Sequence, residues 1–457
     1  MFIAGFDIGT TNLDLYVLDL EKAIIAEKRS APNPKLFMSD PLAYCQDVNL
    51  IVQNIQDMLA SVKEPLSSIC VTGQQHSILY VDGQGRPCSP LYTWLDQCGV
   101  ESFKGTTPQK LLAEKTGVLL NAGYGFLTHY AMRLFGRIPP EARAWCGINE
   151  YVTGILLGQG FTKTDSSFLA GYGGFDPVTL HFNKDFALYA NGDTEEKTPF
   201  SCPCLALPFS IAGTRPDGIP VAHPVGDNQA SFYGLVAHPG EECLISIGTS
   251  GQLSVFSKSV ECPPGMELRP FLGLGYILVG AAISSGKSYE VLERFFADIV
   301  TRYAKEKGIL LPGEVSFFDT MKAAALEQGS NGLLVDTAFN GTRQDGAKRG
   351  SINGISFNNF TMGSLTAAAV SGIVRELAAF RSGLETRFGS IKRIITAGNA
   401  VKNPLFRQEL ERQFSAKICP GSGLGAALGS ALIGAVSAGL IKQPDVCNII
   451  LALRKKT

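Results

Sequence analysis

Two turns of the same composition occur about half the chain apart, and both have the residue types that bind phosphate. The first lies in FDIGTTNLDL, residues 6–15, and the second in ISIGTSGQLS, residues 245–254. Glycine allows a ligand to approach the backbone closely, and successive backbone N–H groups can form a nest for an anion. One such turn is a common hairpin tip, whereas two matching turns favour phosphate binding. The predicted phosphate contacts are Gly9, Thr10, Thr11 and Asn12 in the first turn and Gly248, Thr249 and Ser250 in the second.

The two turns differ at one position, where the first has Asp7 and the second has Ser246. A carboxylate beside a bound phosphate would repel it unless a cation lay between them. Asp7 is therefore a candidate Mg²⁺ ligand, acting through water. The alternative is an aspartate that only caps its own turn.

A third stretch, GAAISSGKS at residues 280–288, competes as a phosphate site. A P-loop has four residues between its glycines, and this stretch has five. The extra residue changes which N–H groups would meet the phosphates. We therefore predict a small-residue turn from strand to helix, in which Lys287 could still lie near a nucleotide.

Composition excludes some partners. The chain of 457 residues has 40 basic and 41 acidic side chains, so nothing favours nucleic acid or an anionic membrane. Its 11 cysteines are odd in number and scattered, which is typical of a reducing cytoplasm. No signal peptide is expected, because no basic region precedes an apolar one at the N-terminus. Residues 423–440 are uncharged but rich in Gly, Ala and Ser, which predicts a buried helix and not a membrane span.

The elements that would position these residues form two similar series, each with a hairpin followed by alternating strands and helices. The predicted strands are 2–6, 13–18, 23–28, 69–72, 78–81, 244–247, 253–256, 276–281 and 391–396. The predicted helices are 48–62, 289–305, 365–387 and 404–413. A Pro/Gly-rich stretch, residues 213–224, separates the series. We predict an α/β protein with domains 1–224 and 225–457 and a cleft between them.

Seven short elements occur in the order typical of one known family. They are Asp7–Asn12, Thr72–His76, Thr93–Asp96, Gly226–Ala230, Ser246–Ser254, Ala397–Ala400 and Gly425–Gly429. Together they resemble the FGGY family of carbohydrate kinases, in the actin/hexokinase/Hsp70 superfamily, over nearly the whole chain. The second-half elements look most like the sedoheptulokinase branch, followed by xylulose and ribulose kinases. The resemblance implies two ribonuclease-H-like domains flanking a nucleotide and sugar cleft.

The resemblance also implies a reaction, the ATP- and Mg²⁺-dependent phosphorylation of the terminal primary hydroxyl of a ketose. Sedoheptulose is the first candidate substrate, and pentuloses or a polyol such as glycerol are alternatives. Asp227 matches the catalytic base of the family. Asp7 and Asp227 are the candidate metal ligands. Read from the residues alone, Asp227 could equally be a helix N-cap. An actin- or Hsp70-like nucleotide switch is the rival from another class, because it would also have paired phosphate hairpins.

The remaining site residues are carried over by the same resemblance. Gln75 and His76 match a sugar-contacting pair, and both side chains can hydrogen-bond to hydroxyls. Trp94 offers an apolar face to a sugar, with a core tryptophan as the alternative. Asp96 is a candidate hydroxyl acceptor or a plain surface aspartate, and Asn228 matches a position near the substrate. Gly398, Asn399 and Asn403 match the adenosine-binding segment, with a plain strand–helix turn as the alternative.

Three features depart from the family pattern or stay without a role. Many relatives have an Arg shortly after the Trp-x-Asp element, whereas Gln97, Cys98 and Gly99 follow here. Asn399 interrupts the glycines of the adenosine segment. Residues 341–343, Gly-Thr-Arg, resemble a Gly-Glu-Arg element whose role the sequence does not supply. Dimers are common among relatives, so a homodimer stays open.

Overall fold

The structure is a computed structural model that describes residues 1–38, 40–191, 201–248, 250–311, 316–342, 345–381, 383–384, 391–421, 423 and 425–456. The chain packs as two compact units. The first contains Met1–Ala237, Arg269–Tyr276 and Leu424–Thr457, and the second contains His238–Leu268 and Ile277–Gly423. The sequence pattern divides the chain after residue 224, whereas packing groups the C-terminal segment with the first unit.

The strands and helices alternate along most of the chain. The strands are β1 Phe2–Ile8, β2 Asn12–Asp19, β3 Ile24–Pro32, β4 Cys45–Gln46, β5 Leu66–Gly73, β6 Leu79–Val81, β7 Leu91–Tyr92, β8 Ala144–Cys146, β9 Phe175–Asp176, β10 His181–Phe182, β11 Ile211–Thr214, β12 Pro220–Ala222, β13 Val225–Gly226, β14 Glu242–Ile247, β15 Gly251–Ser257, β16 Glu267–Phe271, β17 Gly275–Ala282, β18 Leu334–Asp336, β19 Ser351–Asn353, β20 Arg393–Ala397 and β21 Lys417–Pro420. The α-helices are α1 Val48–Ala60, α2 Pro108–Thr116, α3 Gly125–Leu134, α4 Ile148–Leu156, α5 Ser166–Leu169, α6 Asp227–Leu235, α7 Ser285–Lys307, α8 Phe318–Gln328, α9 Met362–Ala378, α10 Pro404–Phe414, α11 Gly425–Ser437 and α12 Val446–Arg454.

A seven-stranded sheet organises the first unit. Its order is β11-β12-β5-β1-β2-β3, and β13 also pairs with β5. β1, β2 and β3 form antiparallel hairpins, whereas β5 runs parallel to β1. The apolar faces of α1 and α4 cover one side of this sheet, with Ile51, Ile55 and Val152 in the core. β1 is apolar at almost every position because both of its faces are buried.

α11 packs against β1, β5 and α6 in the first unit, through a surface of small residues. The Ser430 hydroxyl donates to the Phe6 carbonyl at 3.2 Å, which requires the two backbones to lie close together. A Cβ on Gly429 would lie 1.7 Å from the Ala230 carbonyl oxygen, so only glycine fits there. The predicted buried helix is therefore confirmed. No helix in the described part of the chain has both the length and the apolarity needed to cross a membrane.

A second sheet has the order β16-β17-β15-β14-β20-β21, and its strands β14, β15, β20 and β21 lie wholly in the second unit. β14 and β15 form an antiparallel hairpin, and β20 runs parallel to β14. Its core includes Ile245, Leu278, Ile373 and Phe406. In both sheets the first strand lies between the second strand, which is antiparallel to it, and a later strand that runs parallel to it, so the units repeat this central arrangement. This confirms the two copies of one α/β plan.

The predicted elements are confirmed with shifted ends. α7 begins at Ser285, four residues before the predicted start, and α9 spans Met362–Ala378. Residues 385–387 of the predicted helix 365–387 lie outside the described residues. β17 ends at Ala282 and α7 begins three residues later, which confirms a strand-to-helix turn at residues 280–288.

Glu150 on α4 allows a test of the first unit's core. It is fully buried, and Tyr172 Oη donates to its Oε1 at 2.9 Å. Burial raises the pKa of Glu150 to about 8. The Glu150 carboxyl of the folded chain therefore stays protonated over a pH range in which that of the unfolded chain is ionised. This contribution to stability is therefore present at low pH and is lost between about pH 4.5 and pH 8.

We expect Glu150→Gln, which removes the titration and keeps the shape, to gain stability relative to the wild type as pH rises. The free energy of unfolding of Glu150→Gln, relative to that of the wild type, should rise by roughly 2–5 kcal/mol between pH 5 and pH 8. Urea titrations at each pH measure it. The exposed Glu306→Gln is the matched control and should show no such trend. A difference for Glu150→Gln that stays constant with pH would contradict the buried proton.

Candidate active site

The candidate residues of the first unit lie at one edge of its sheet. β1 and β13 both run parallel to β5, with Ile8 and Gly226 each opposite Gly73. The carboxyl ends of the three strands therefore meet, and the residues that follow each strand lie together. Those residues are the turn 9–12, the segment 74–76 and Asp227.

The first turn has its carbonyl groups directed into the protein. Its three carbonyl oxygens accept bonds from buried groups: Asn33 Nδ2 to Gly9 at 2.8 Å, Gln46 Nε2 to Thr10 at 2.7 Å, and the Asn33 N–H to Thr11 at 2.8 Å. In a trans peptide the N–H points opposite to the carbonyl. The N–H groups of Thr10, Thr11 and Asn12 are therefore directed away from the interior, as in an anion nest.

Two carboxylates influence each other beside this turn. Burial by surrounding protein, then the charge of Asp227, and then that of Asp14 raise the pKa of Asp7 to about 8. In the described structure no hydrogen bond joins the Asp7 carboxylate to its own turn, so a capping role has no support. No group of three metal-ligating side chains is found among the described residues. Asp7 and Asp227 form a two-carboxylate set, which suits Mg²⁺ because this ion keeps several water ligands.

Asp227 is the first residue of α6, and Gly226 is the N-cap. The N-cap alternative for Asp227 was therefore wrong, because its own backbone is already helical. Its Oδ1 accepts from the Asn228 N–H at 2.7 Å and from Gln75 Nε2 at 3.1 Å. Gly226 makes this approach possible, since a Cβ there would lie 2.3 Å from Gln75 Nε2. Burial raises the pKa of Asp227, and the Asn228 N–H, the Arg269 charge and Gln75 partly oppose that effect.

The backbone of His76 is strained. His76 follows Gln75, the residue that donates a hydrogen bond to Asp227. Its φ of 71° is rare for a residue other than glycine, and such strain occurs most often at functional sites. Its Nδ1 contacts the Gly171 carbonyl at 2.5 Å, and its ring lies 4.3 Å from the ring of Tyr124. In the neutral ring Nδ1 donates to Gly171, so Nε2 is the acceptor nitrogen.

Trp94 and Asp96 have different environments although they are two residues apart. Trp94 is 42% exposed, so the core-tryptophan alternative was wrong. Its indole N–H donates to Thr10 Oγ1 at 2.9 Å. Asp96 is fully buried, and its two oxygens accept from the N–H groups of Tyr44 and Cys98. The surface-aspartate alternative was therefore wrong as well, and contact of Asp96 with a substrate would require its buried carboxylate to become exposed.

One residue that acts on Asp227 has no signal in the sequence. Arg269 lies in β16, about 40 residues further along the chain, yet its charge acts on Asp227. Contacts within the first unit hold this strand on α6: Gln229 Nε2 donates to the Pro270 carbonyl at 3.2 Å, and the Phe232 and Phe271 rings are 5.4 Å apart. Burial lowers the pKa of Arg269, and Tyr124 and Asp227 partly oppose that effect. Only the fold brings Arg269 to Asp227.

The candidate nucleotide residues of the second unit also lie at one sheet edge. β14 and β20 are parallel, with Ser246 opposite Ala397, so the turn after β14 and the turn after β20 are neighbours. Gly248, Gly398 and Asn399 are exposed there, and Ser250 is partly exposed. Asn403 caps α10 through the Leu405 N–H, and its Nδ2 lies 3.3 Å from Tyr289 Oη. Thr249, and Arg343 of the Gly-Thr-Arg stretch, lie outside the described residues.

Lys287 does not have the environment of a P-loop lysine. Its Nζ pairs with Glu290 Oε2 at 2.6 Å on the exposed surface of α7. We expect Lys287→Ala to keep kcat within about tenfold of the wild type, since one exposed pair contributes little. Steady-state phosphorylation assays measure this, with Lys305→Ala on the same helix as the control. A loss of several hundredfold for Lys287→Ala alone would restore the P-loop interpretation.

Comparisons with known proteins agree with this architecture. Residues 2–192 match the N-terminal domain of the FGGY family of carbohydrate kinases. Sedoheptulokinase from Mus musculus is 25% identical, over 94% of this chain and 96% of its own length. The structure of ligand-bound xylulose kinase from Lactobacillus acidophilus has a TM-score of 0.79 at 20% identity, over 98% of this chain and 91% of its own. The structure of Plasmodium falciparum glycerol kinase with ADP has a TM-score of 0.77 at 18% identity, over 99% of this chain and 92% of its own.

The fold is that of these two solved kinase structures, with two α/β units that each contain a hairpin with a glycine turn. Residues 2–192 have the sequence of an FGGY carbohydrate kinase N-terminal domain, relatives that match nearly the full length are named as sugar kinases, and the chain is a phosphotransferase. The resemblance read from the seven short elements is thereby confirmed, as is the predicted fold class.

Proposed function

We propose that this kinase transfers the γ-phosphoryl group of ATP to the terminal primary hydroxyl of a ketose, with sedoheptulose as the first candidate. The observation that carries the proposal is the meeting of Asp227, Gln75 and the 9–12 turn at one sheet edge. A base, a sugar-binding amide and a phosphate nest are the groups that phosphoryl transfer to an alcohol requires.

Asp227 would act as the general base. Its carboxylate would take the proton of the sugar hydroxyl as that oxygen bonds to the γ-phosphorus, while the bond from this phosphorus to the ADP oxygen breaks. A pKa raised by burial makes the carboxylate a better proton acceptor than an ordinary aspartate. Gln75 fixes the orientation of Asp227 through the 3.1 Å bond.

Asp7 and Asp227 would hold the magnesium ion. Mg²⁺ bound with ATP would neutralise charge on the phosphates during transfer. The charge of Asp227 raises the free energy of ionisation of Asp7, and a divalent cation bound by both would remove that cost. The resulting set of two carboxylates, water and phosphate is usual for Mg²⁺.

In the first unit the 9–12 turn would bind phosphate, and in the second unit Gly248 and Ser250 form a separate candidate phosphate turn. The adenosine would lie along Gly398, Asn399 and Asn403, at the edge that also presents Gly248. ATP is supported as the donor by the ADP in the Plasmodium falciparum glycerol kinase structure. Cytoplasmic function is supported by the cysteines, since the eleven are odd in number and scattered along the chain.

The sugar would contact Gln75, His76, Trp94 and Asn228, at the edge that presents Asp227. Sedoheptulose as substrate is supported by the mouse sedoheptulokinase, which matches over nearly the full length of both chains. A xylulose or glycerol kinase is the alternative, on the likeness to solved structures of those enzymes. Asp96 is better assigned to positioning Trp94, because both of its oxygens bind backbone N–H groups.

The deciding experiment measures ADP release by the purified protein with sedoheptulose, xylulose, ribulose, gluconate and glycerol, each with ATP and Mg²⁺. A large increase in turnover with sedoheptulose would support the proposal, and the phosphorylated position follows from NMR of the product. A larger kcat/KM for another compound would replace the substrate and keep the reaction. ATP binding without stimulation by any sugar would favour the nucleotide-switch alternative.

A further inference from the structure

A closed ring of hydrogen bonds joins Trp94 to the first phosphate turn. The Trp94 indole N–H donates to Thr10 Oγ1 at 2.9 Å, and Thr10 Oγ1 donates to Gln74 Oε1 at 3.4 Å. Gln74 Nε2 then donates to Gln46 Oε1 at 2.7 Å, and Gln46 Nε2 returns to the Thr10 carbonyl at 2.7 Å. All four residues belong to the first unit. Thr10 is therefore held at its side chain and at its backbone by the same ring.

Thr10, Gln74 and Gln46 close the ring, and Trp94, which is bonded to Thr10, is open to a ligand. Gln46 and Gln74 are buried, whereas Trp94 has 42% of its surface exposed. The Gln46 bond fixes the peptide between Thr10 and Thr11, and that peptide carries the Thr11 N–H. A change at Trp94 therefore reaches the Thr11 N–H through one hydrogen bond and the Thr10 residue itself.

We propose that Trp94 is a positioning residue that couples sugar binding to the phosphate grip of the 9–12 turn. This inference rests on the proposed function, in which the Trp94 face contacts the sugar. A sugar against the indole would exclude water from the Trp94–Thr10 bond, and a hydrogen bond is stronger where water is absent. Sugar binding then holds Thr10, and with it the Thr11 N–H, in the orientation that binds phosphate.

The coupling has two consequences for the enzyme. Sugar should tighten nucleotide binding, and by linkage the nucleotide should tighten sugar binding by the same factor. Without sugar the turn binds phosphate less firmly, so less ATP is lost to transfer onto water.

The test is a double-mutant cycle with Trp94→Phe, Thr10→Val and the two together. Trp94→Phe keeps an apolar face and removes the N–H donor, and Thr10→Val keeps the shape and removes the hydroxyl. Calorimetry measures the Kd of ADP with Mg²⁺, first without sugar. Each single variant should raise this Kd roughly three- to tenfold, and the double variant should be little worse than either one. Thr10→Ser should recover most of the affinity lost in Thr10→Val.

The second readout uses the sugar found in the substrate panel. In the wild type the sugar should lower the Kd of MgADP, and in Trp94→Phe this ratio should fall toward one. The KM of Trp94→Phe for the sugar should change less than about threefold, since the apolar face remains. Thr301→Val, an exposed threonine on α7, is the matched control for substitution itself.

Two results would overturn the inference. One is an unchanged Kd of MgADP in Trp94→Phe, with only sugar binding weakened, which would make Trp94 a sugar platform and nothing more. The other is full additivity in the cycle, which would show that the two residues act independently. Failure of the proposed function would look different, because no sugar would stimulate the wild type while the sugar-free cycle would still report on the ring.

Discussion

Replacing Asp227 by Asn is expected to lower kcat by roughly 10²–10⁴-fold, the usual contribution of a positioned general base. Asn keeps an oxygen that can accept from Gln75 Nε2 and from the Asn228 N–H, so the local structure should survive. What it removes is the carboxylate that accepts the sugar proton. Nucleotide affinity should therefore fall much less than kcat, and the midpoint of thermal unfolding should stay within a few degrees of the wild type.

The pH profile gives an independent readout of the same residue. Since burial raises the pKa of Asp227, kcat/KM of the wild type should fall on acidification from a pH above the ordinary range of an aspartate. Asp227→Asn should lack this acidic limb. Asp217→Asn is the matched control, because Asp217 lies in an exposed turn, where it pairs with Arg215 and accepts from the Ile219 N–H. Near-normal turnover in Asp227→Asn would exclude Asp227 as the base, whatever the substrate.

Gly429→Ala is expected to destabilise the first unit by at least about 3 kcal/mol, or to prevent folding. The added methyl group would lie 1.7 Å from the Ala230 carbonyl oxygen, and backbone atoms cannot move aside as a flexible side chain can. Relief would require α11 to move away from α6. That movement would also disturb the Ser430 bond to the Phe6 carbonyl in β1.

The loss of stability is measured by urea unfolding or, where the variant does not fold, by the soluble yield. Gly240→Ala is the matched control, because no atom lies within 4 Å of the added methyl group. It should stay within about 0.5 kcal/mol of the wild type. If the free energy of unfolding of Gly429→Ala is less than about 1 kcal/mol below that of the wild type, α11 and α6 can separate without cost.

The sequence by itself determined the repeating plan and most of the residues that follow its strands. The two Ile-Gly-Thr turns, the hairpin strands and the small-residue helix are local patterns, and each depends on neighbours within a few positions. Glycine spacing was enough to reject a P-loop at residues 280–288. The short motifs were also sufficient to identify the family. Such features are readable because period, turn chemistry and side-chain size act along the chain.

Only the tertiary structure decided how the predicted residues are used. Trp94 and Asp96 share one motif, yet one is exposed and the other is buried with both oxygens bonded to backbone. Arg269 comes to Asp227 because β16 packs on α6, a contact between segments about 40 residues apart. The ring through Gln46 and Gln74 joins three separate segments. Burial and long-range contact depend on how segments pack, and for this reason local sequence carries no direct record of them.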